Sequence, residues 1–302
     1  MSPTLGEGDP ITQAAKSSQP ATAVNRHLGG DHGIRMFPLT EREFDRVSRL
    51  IYRACGIHLK EGKQDLVKAR LGRRLRALGL ESFDEYFDRV EEEPSGHELA
   101  EMVDLLTTNK TEFFRDPVHF EFIRREILTR YTNVDERLRF WCAGCSYGQE
   151  PYSLAVILSE SFRDLNRRDC KILATDICRP ALSWAVEGKY AESEMEGMSG
   201  TYRSRYFPVS EPGYLQASPG LRKLILFARL NLIESWPMKG PFQLIMCRNV
   251  MIYFDRKTRE ELIGRFWRLL SPGGFLMVGL SESLTGMKHD FKYVQPAVYC
   301  RY

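Results

Sequence analysis

Side chains able to bind a polar ligand gather at a few places in the chain. In Thr107-Thr-Asn-Lys-Thr-Glu-Phe-Phe-Arg-Asp116, threonines, an amide and an arginine lie close together. They offer convergent donors, and an arginine fork suits a carboxylate held in a bidentate way. By composition alone the same segment also reads as an interdomain connector. A second place is the turn Gly144-Cys-Ser-Tyr-Gly148, followed by Gln149-Glu-Pro-Tyr-Ser153. Small residues there let backbone N–H groups approach a ligand. The spacing is neither G-x-G-x-x-G nor a phosphate loop, which argues against a dinucleotide or ATP and leaves room for a nucleoside with a zwitterionic tail. Asp176 ends the run Lys171-Ile-Leu-Ala-Thr-Asp176, where an acid in a doubly wound fold binds ribose hydroxyls. Arg248 and Asn249 follow the apolar run Phe242-Gln-Leu-Ile-Met-Cys247. The seven cysteines (55, 142, 145, 170, 178, 247 and 300) are odd in number and lie mostly in apolar segments, so reduced buried thiols fit better than a disulfide framework. Cys142 and Cys145 form a C-x-x-C with no second ligand pair, and no metal site is expected.

These residues need elements to position them. Leu138–Cys142 reads as a buried strand, the glycine turn follows, and a helix opens near Pro151, where a missing N–H costs nothing. Strand and helix then alternate, which implies a largely parallel sheet with crossover helices. Lys171–Asp176, Phe242–Cys247 and Phe275–Gly279 are its further strands, a helix is completed over Arg265–Leu270, and Lys292–Val294 with Ala297–Arg301 forms a pair at the edge. Between Glu192 and Asn231 the rhythm breaks. Tyr206–Val209, Tyr214–Gln216 and Leu224–Phe227, separated by Pro and Gly, predict a small antiparallel insertion. Upstream of the sheet the pattern is helical. Thr40 and Glu43 have capping-box spacing, with Leu39 and Phe44 placed for a staple; the helix that follows buries Phe44, Val47, Leu50, Ile51 and Ala54 and stops near Gly56. A second helix over Lys63–Leu78 carries Arg70, Arg73, Arg74 and Arg76 outside its apolar stripe. Such a run is either a solvated face or a docking surface for an acidic partner. Ser82–Val90 and the stretch with Leu99, Met102, Val103 and Leu106 give two more helices, and Asp116-Pro117 can cap the next.

The 302 residues allow about two domains, and 43% hydrophobic with 27% charged residues is ordinary for a soluble globular protein. No apolar run reaches membrane-span length and the N-terminus lacks a signal-peptide pattern, so a cytoplasmic protein without membrane insertion is expected. A net charge of +3 is too small to imply a nucleic-acid surface, and no aromatic–basic module for nucleic acid is visible. Four segments are expected: a disordered leader over 1–34, a helical domain over 35–116, a connecting helix or linker over 117–135, and an α/β domain over 136–302 with its antiparallel part near 192–230.

Taken together, Thr107–Arg115, Gly148–Ser153, Ala174-Thr-Asp176 and Cys247-Arg-Asn-Val-Met-Ile-Tyr-Phe-Asp255 resemble the chemotaxis receptor methyltransferases, the CheR family, from about Phe37 to the C-terminus. The resemblance implies a Rossmann-like S-adenosylmethionine-dependent methyltransferase sheet with an N-terminal all-helical domain and a small antiparallel β insertion. It implies S-adenosylmethionine as cofactor, S-adenosylhomocysteine as product, and glutamates on the cytoplasmic methylation helices of chemoreceptors as substrate. Matched position by position, Asn109, Thr111 and Arg115 fall on cofactor contacts, Glu150 on the acid after the turn, and Asp176 on the ribose acid. Asn231 and Leu232 match the adenine-side pair, Arg248 and Asn249 the pair at the later strand end, and Tyr253 the tyrosine beside the methyl group. Arg115 doubles as the arginine implicated in activity, so Arg115 and Tyr253 are the catalytic candidates. Gln149 stands where many members have a second Glu. Because the substrate helices are acidic, Arg70, Arg73, Arg74 and Arg76 become candidates for docking them. The loop Pro208–Tyr214 is shorter than in members that tether a receptor's C-terminal pentapeptide and lacks their Gly-x-Gly, so no tether is expected. Two other readings stand beside this one: a non-catalytic adapter that binds the cofactor or its product, and a methyltransferase of the same fold acting on RNA or a small molecule.

Overall fold

The computed structural model describes residues 37–302, so the expected leader lies outside the described residues. Four helices come first: α1 (Glu41–Cys55), α2 (Gln64–Leu78), α3 (Phe83–Glu92) and α4 (His97–Leu106). Helix α1 starts as the local chemistry dictates. The Thr40 hydroxyl accepts from the Glu43 amide, and the Glu43 carboxylate accepts from the Thr40 amide at 2.7 Å. It stops at Gly56, whose left-handed φ of 74° suits glycine. Phe44, Val47, Ile51, Val67, Leu71, Leu75, Phe83, Tyr86, Phe87 and Met102 form a core of their own. Ser82 caps α3 by accepting from the Glu85 amide.

After α4 come α5 (Pro117–Phe122), a π-helical turn over Ile123–Ile127 and a 3-10 turn over Leu128–Arg130. The α/β part then runs β1 (Leu138–Ala143), α6 (Gln149–Ser161), β2 (Cys170–Asp176), α7 (Arg179–Glu187), β3 (Lys189–Ala191), α8 (Gly200–Tyr206), β4 (Val209–Glu211), β5 (Tyr214–Gln216), α9 (Pro219–Leu224), β6 (Ile225–Arg229), β7 (Phe242–Cys247), α10 (Arg256–Leu269), β8 (Leu270–Val278), β9 (Lys292–Gln295) and β10 (Val298–Cys300). Seven strands form one sheet in the order β6-β2-β1-β7-β8-β10-β9. The first five are parallel, and β10 and β9 add an antiparallel edge. β1 lies between β2 and β7, so the winding direction reverses there and the carboxyl ends of these strands open a crevice. Every residue of β7 is buried, as expected of a central strand covered on both faces. One face packs Phe140, Tyr152, Leu154, Ile172 and Met246, and the other packs Trp141, Ile245, Ile263, Phe266 and Leu276.

Two expectations need correction. Leu224–Phe227 is not part of the antiparallel insertion: β6 pairs parallel with β2, from Ile172↔Ile225 to Asp176↔Arg229. The insertion is instead β3-β5-β4, and β3, three residues long, had no readable alternation. Asp116 has no side-chain capping bond to α5, because its carboxylate is engaged by Arg248. All seven cysteines are buried and none pairs with another. Among the described residues no helix is long and apolar enough to cross a membrane.

Candidate active site

Three segments meet at the carboxyl ends of β1, β2 and β7, and each is held in a conformation its residues would not choose alone. Of the five non-glycine described residues with positive φ, four lie in them: Phe114, Asp116, Ser146 and Asn249. Such conformations cost about 1–3 kcal/mol each and persist only where surrounding bonds enforce them. The enforcing bonds are visible. The Ser146 hydroxyl donates to the Asn109 carbonyl at 2.8 Å, joining the glycine turn to the 107–116 segment. The Phe114 amide donates to Ser153 Oγ on α6 at 2.9 Å. At Gly144, also at positive φ, a Cβ would lie 2.3 Å from a Val250 methyl, so only glycine lets the turn and the segment after β7 approach this closely.

Together these segments line a cavity of about 440 Å³, within the range usual for small-molecule sites. Asn109, Thr111, Arg115, Glu150, Asp176, Asn231, Leu232, Arg248, Asn249 and Tyr253 all line it. Asp176 sits at the tip of β2, and its carboxylate accepts from the Ser146 amide at 2.7 Å and the Cys178 amide at 2.9 Å. Burial pushes its pKa up, and these two amides pull it back in part. A carboxylate has about four acceptor positions, so capacity for hydroxyl donors remains. Asn231 differs: its amide donates to the Ala54 carbonyl and to Glu234, and its oxygen accepts from the Ile233 amide. Its side chain is used in fixing the wall rather than in reaching a ligand.

Arg248 is buried between two acids, with Glu150 at 3.0 Å and Asp116 at 2.8 Å, and it also donates to the Arg115 carbonyl. Its Nε is buried with no partner. Burial raises the Glu150 pKa, opposed by the Arg248 charge. Arg115 is half-buried and donates to the Lys110 carbonyl at 3.3 Å. Tyr253 is half-buried on the one-turn 3-10 segment Met251–Tyr253.

The helical part contributes a wall that the sequence did not signal. Ile57, His58, Leu59, Lys60 and Lys63, from the connection between α1 and α2, line the same cavity. They are brought there by a bridge between Ile57 and Phe254 and by the His58 amide donating to the Tyr253 carbonyl at 2.8 Å. A short loop of mixed residues gives no periodic signal, so only its distant partners reveal its place. Ser146 and Glu282 were also missed. Ser146 acts through its amide on Asp176 and its hydroxyl on the Asn109 carbonyl, and Glu282 accepts from three backbone amides, contacts with main-chain groups that no side-chain pattern announces.

None of the four α2 arginines is itself among the residues lining the cavity. Arg74 makes a two-point ion pair with the buried Glu98, at 2.8 and 2.7 Å, and Tyr86 donates to the same carboxylate. Arg70 donates to the Leu106 and Thr107 carbonyls at the end of α4 and to Thr108 Oγ1. These two half-buried side chains are tied to α4 and the segment after it. Arg73 and Arg76 are exposed.

The fit to the nucleoside cofactor implied by the motifs rests on the cavity itself. It offers a carboxylate with spare acceptor capacity at Asp176, an apolar wall at Ile177, Leu230 and Leu232, and a glycine approach at Gly144. Arg115, Glu150 and the unpartnered Arg248 Nε supply both charge signs for a zwitterionic tail.

Residues 109–300 match the family model described as CheR methyltransferase, SAM binding domain, and residues 42–107 match CheR methyltransferase, all-alpha domain. A chemotaxis protein methyltransferase of Borreliella burgdorferi is 37% identical over 86% of this chain and 94% of its own length. Chemotaxis protein methyltransferase 2 of Pseudomonas aeruginosa is 38% identical over 88% and 95%. A probable chemotaxis protein methyltransferase of Rhizobium etli is 39% identical over 83% and 96%.

Proposed function

The chain belongs to the CheR methyltransferase family, and from that premise we propose that it methylates glutamate side chains on the methylation helices of chemoreceptors, with S-adenosylmethionine as donor. The observation that carries the reading is the meeting of all ten cofactor and catalytic candidates around one cavity at the switch point of the sheet. When bound, the cofactor would supply an electrophilic methyl group from its cationic sulfur to the glutamate oxygen, becoming a neutral thioether. Asp176 would hold the ribose, Leu232 and the backbone at Asn231 the adenine, and Asn109, Thr111, Arg115, Glu150, Arg248 and Asn249 the amino-acid end.

The substrate needs no general base. A glutamate carboxylate with a pKa near 4.3 is already the nucleophile at neutral pH. What remains is alignment, which can supply about 7–11 kcal/mol in favourable cases. Arg115 would orient the incoming carboxylate and Tyr253 would close the side of the methyl group. The relatives described above are methyltransferases by name, which favours this over the adapter reading. A receptor helix would approach over the helical part, steered by Arg73 and Arg76 on α2. The edge strand β4 is exposed but only three residues long, and β4 and β5 leave little length for an added receptor peptide.

Transfer of labelled methyl from S-adenosylmethionine to receptor membranes tests the whole. The product is expected to release methanol on mild alkali, as a carboxyl ester does. Arg115→Ala is expected to lower the rate at least 100-fold, and excess free pentapeptide to leave it unchanged. An alkali-stable product would refute the glutamate ester, and strong competition by the pentapeptide would refute the absence of a tether.

A further inference from the structure

Glu282 lies outside every motif of the sequence analysis, in the loop after β8, and only 8% of its surface is exposed. A carboxylate buried to that degree needs a compensating set of donors. Its donors are backbone amides: Oε2 accepts from Gly279 at 2.6 Å and Asn249 at 2.8 Å, and Oε1 accepts from Ile252 at 3.0 Å. Two of the three belong to the segment that carries Arg248, Asn249 and Tyr253 to the cavity. Asn249 is in the left-handed region, at φ 59°, so the turn is not one the chain would hold unaided. The approach is as close as the chain allows. A Cβ on Gly279 would lie 2.9 Å from Glu282 Oε2 and 2.7 Å from Asn249 Nδ2.

We propose that Glu282 is a positioning residue for methyl transfer: it clamps the 249–252 amides and thereby sets Tyr253 against the cavity. This rests on the role proposed for Tyr253. The donors divide by oxygen, which makes the clamp separable from the fold. In Glu282→Gln the remaining carbonyl can keep Gly279 and Asn249, while the new NH2 group faces the Ile252 amide, donor against donor. The Asn249 end is retained and the Tyr253 end is released.

The test uses the full chain. In amide hydrogen exchange of the free protein, Glu282→Gln is expected to speed exchange at Ile252 at least 10-fold while the strands β7 and β8 exchange as before. In the transfer assay kcat is expected to fall at least 10-fold, with receptor KM and the Kd of S-adenosylhomocysteine within about 3-fold. Glu282→Ala, which releases both ends, is expected to weaken S-adenosylhomocysteine as well. Unchanged exchange at Ile252, or an unchanged kcat, overturns the proposal. A double-mutant cycle with Tyr253→Ala, which removes the ring, separates this from failure of the underlying reading. If Tyr253→Ala alone leaves kcat intact, the role of Tyr253 fails. If it lowers kcat and the Glu282→Gln effect adds in full, the clamp does not act through Tyr253, and the proposal fails instead.

Discussion

Arg248 organises the charges of the site, and a neighbour bears the consequence. His119 on α5 has no exposed surface, and neither ring nitrogen has a partner. Burial, with the positive charge of Arg248 added and Asp116 opposing, lowers its pKa from the ordinary 6.5 to about 4. The sign of the linkage follows. Between pH 6.5 and about 4 the unfolded chain binds this proton and the folded chain does not. Stability attributable to His119 is therefore full above pH 6.5 and lost as the pH falls toward 4, by at most on the order of 3 kcal/mol. Replacing His119 with Leu, similar in bulk and unable to titrate, is expected to flatten that part of the stability profile. Denaturant melts at pH 7 and pH 4.5 measure it: a larger wild-type loss than variant loss is expected, and equal losses would show that His119 is not buried in its neutral form.

The elements show which features a sequence can disclose. Thr40, Glu43 and Gly56 define α1 because capping is local, and β7 reads as a strand because it is apolar throughout. β6 was assigned to the wrong sheet because parallel pairing depends on a crossover, and nothing in Ile225–Arg229 names β2 as its neighbour. Helix α2 is the sharper case. Its periodicity gave the apolar stripe, with Val67, Leu71 and Leu75 buried, but it could not show that two of its arginines, Arg70 and Arg74, bond to α4. Helix α4 supplies the Glu98 carboxylate to Arg74 and its terminal carbonyls to Arg70. Removing Arg74 leaves a buried carboxylate beside Tyr86 without its counter-charge, so Arg74→Ala is expected to cost about 3 kcal/mol of stability. Changing Arg73 and Arg76 together to Glu is expected to raise the receptor KM several-fold, more at low salt, while the melting temperature moves little. An unaltered KM in the double charge reversal would remove α2 from receptor docking. A stable Arg74→Ala protein would mean that the Glu98 pair contributes little.

At the scale of the whole chain, the helical part and the sheet are joined through the wall of the cavity, and so they should not unfold apart. Arg179, at the start of α7, binds Asp104 and Glu101 on α4 at 2.7 and 2.8 Å. Asp255 caps α10 through the Thr258 amide and accepts from Tyr52 of α1 with its other oxygen. Asn231 donates to the Ala54 carbonyl, and Ile57 bridges to Phe254. All four ties involve residues within two positions of the cavity lining, so separating the parts would dismantle the binding site. A ligand that binds only the joined state stabilises both by the same amount, about 2.7 kcal/mol at a concentration 100 times its Kd. Calorimetry is therefore expected to show a single transition for residues 37–302, moved upward as one peak by S-adenosylhomocysteine. Tryptophan emission would follow it from the sheet side, since Trp141 and Trp236 pack edge to face there. The helical part contains no tryptophan between residues 37 and 116, so its melting has to be followed separately, by exchange of the α1 and α3 amides. Two resolved transitions, or an S-adenosylhomocysteine shift seen by tryptophan and absent from the α1 and α3 amides, would show that the helical part is only hinged to the site and does not help to build it.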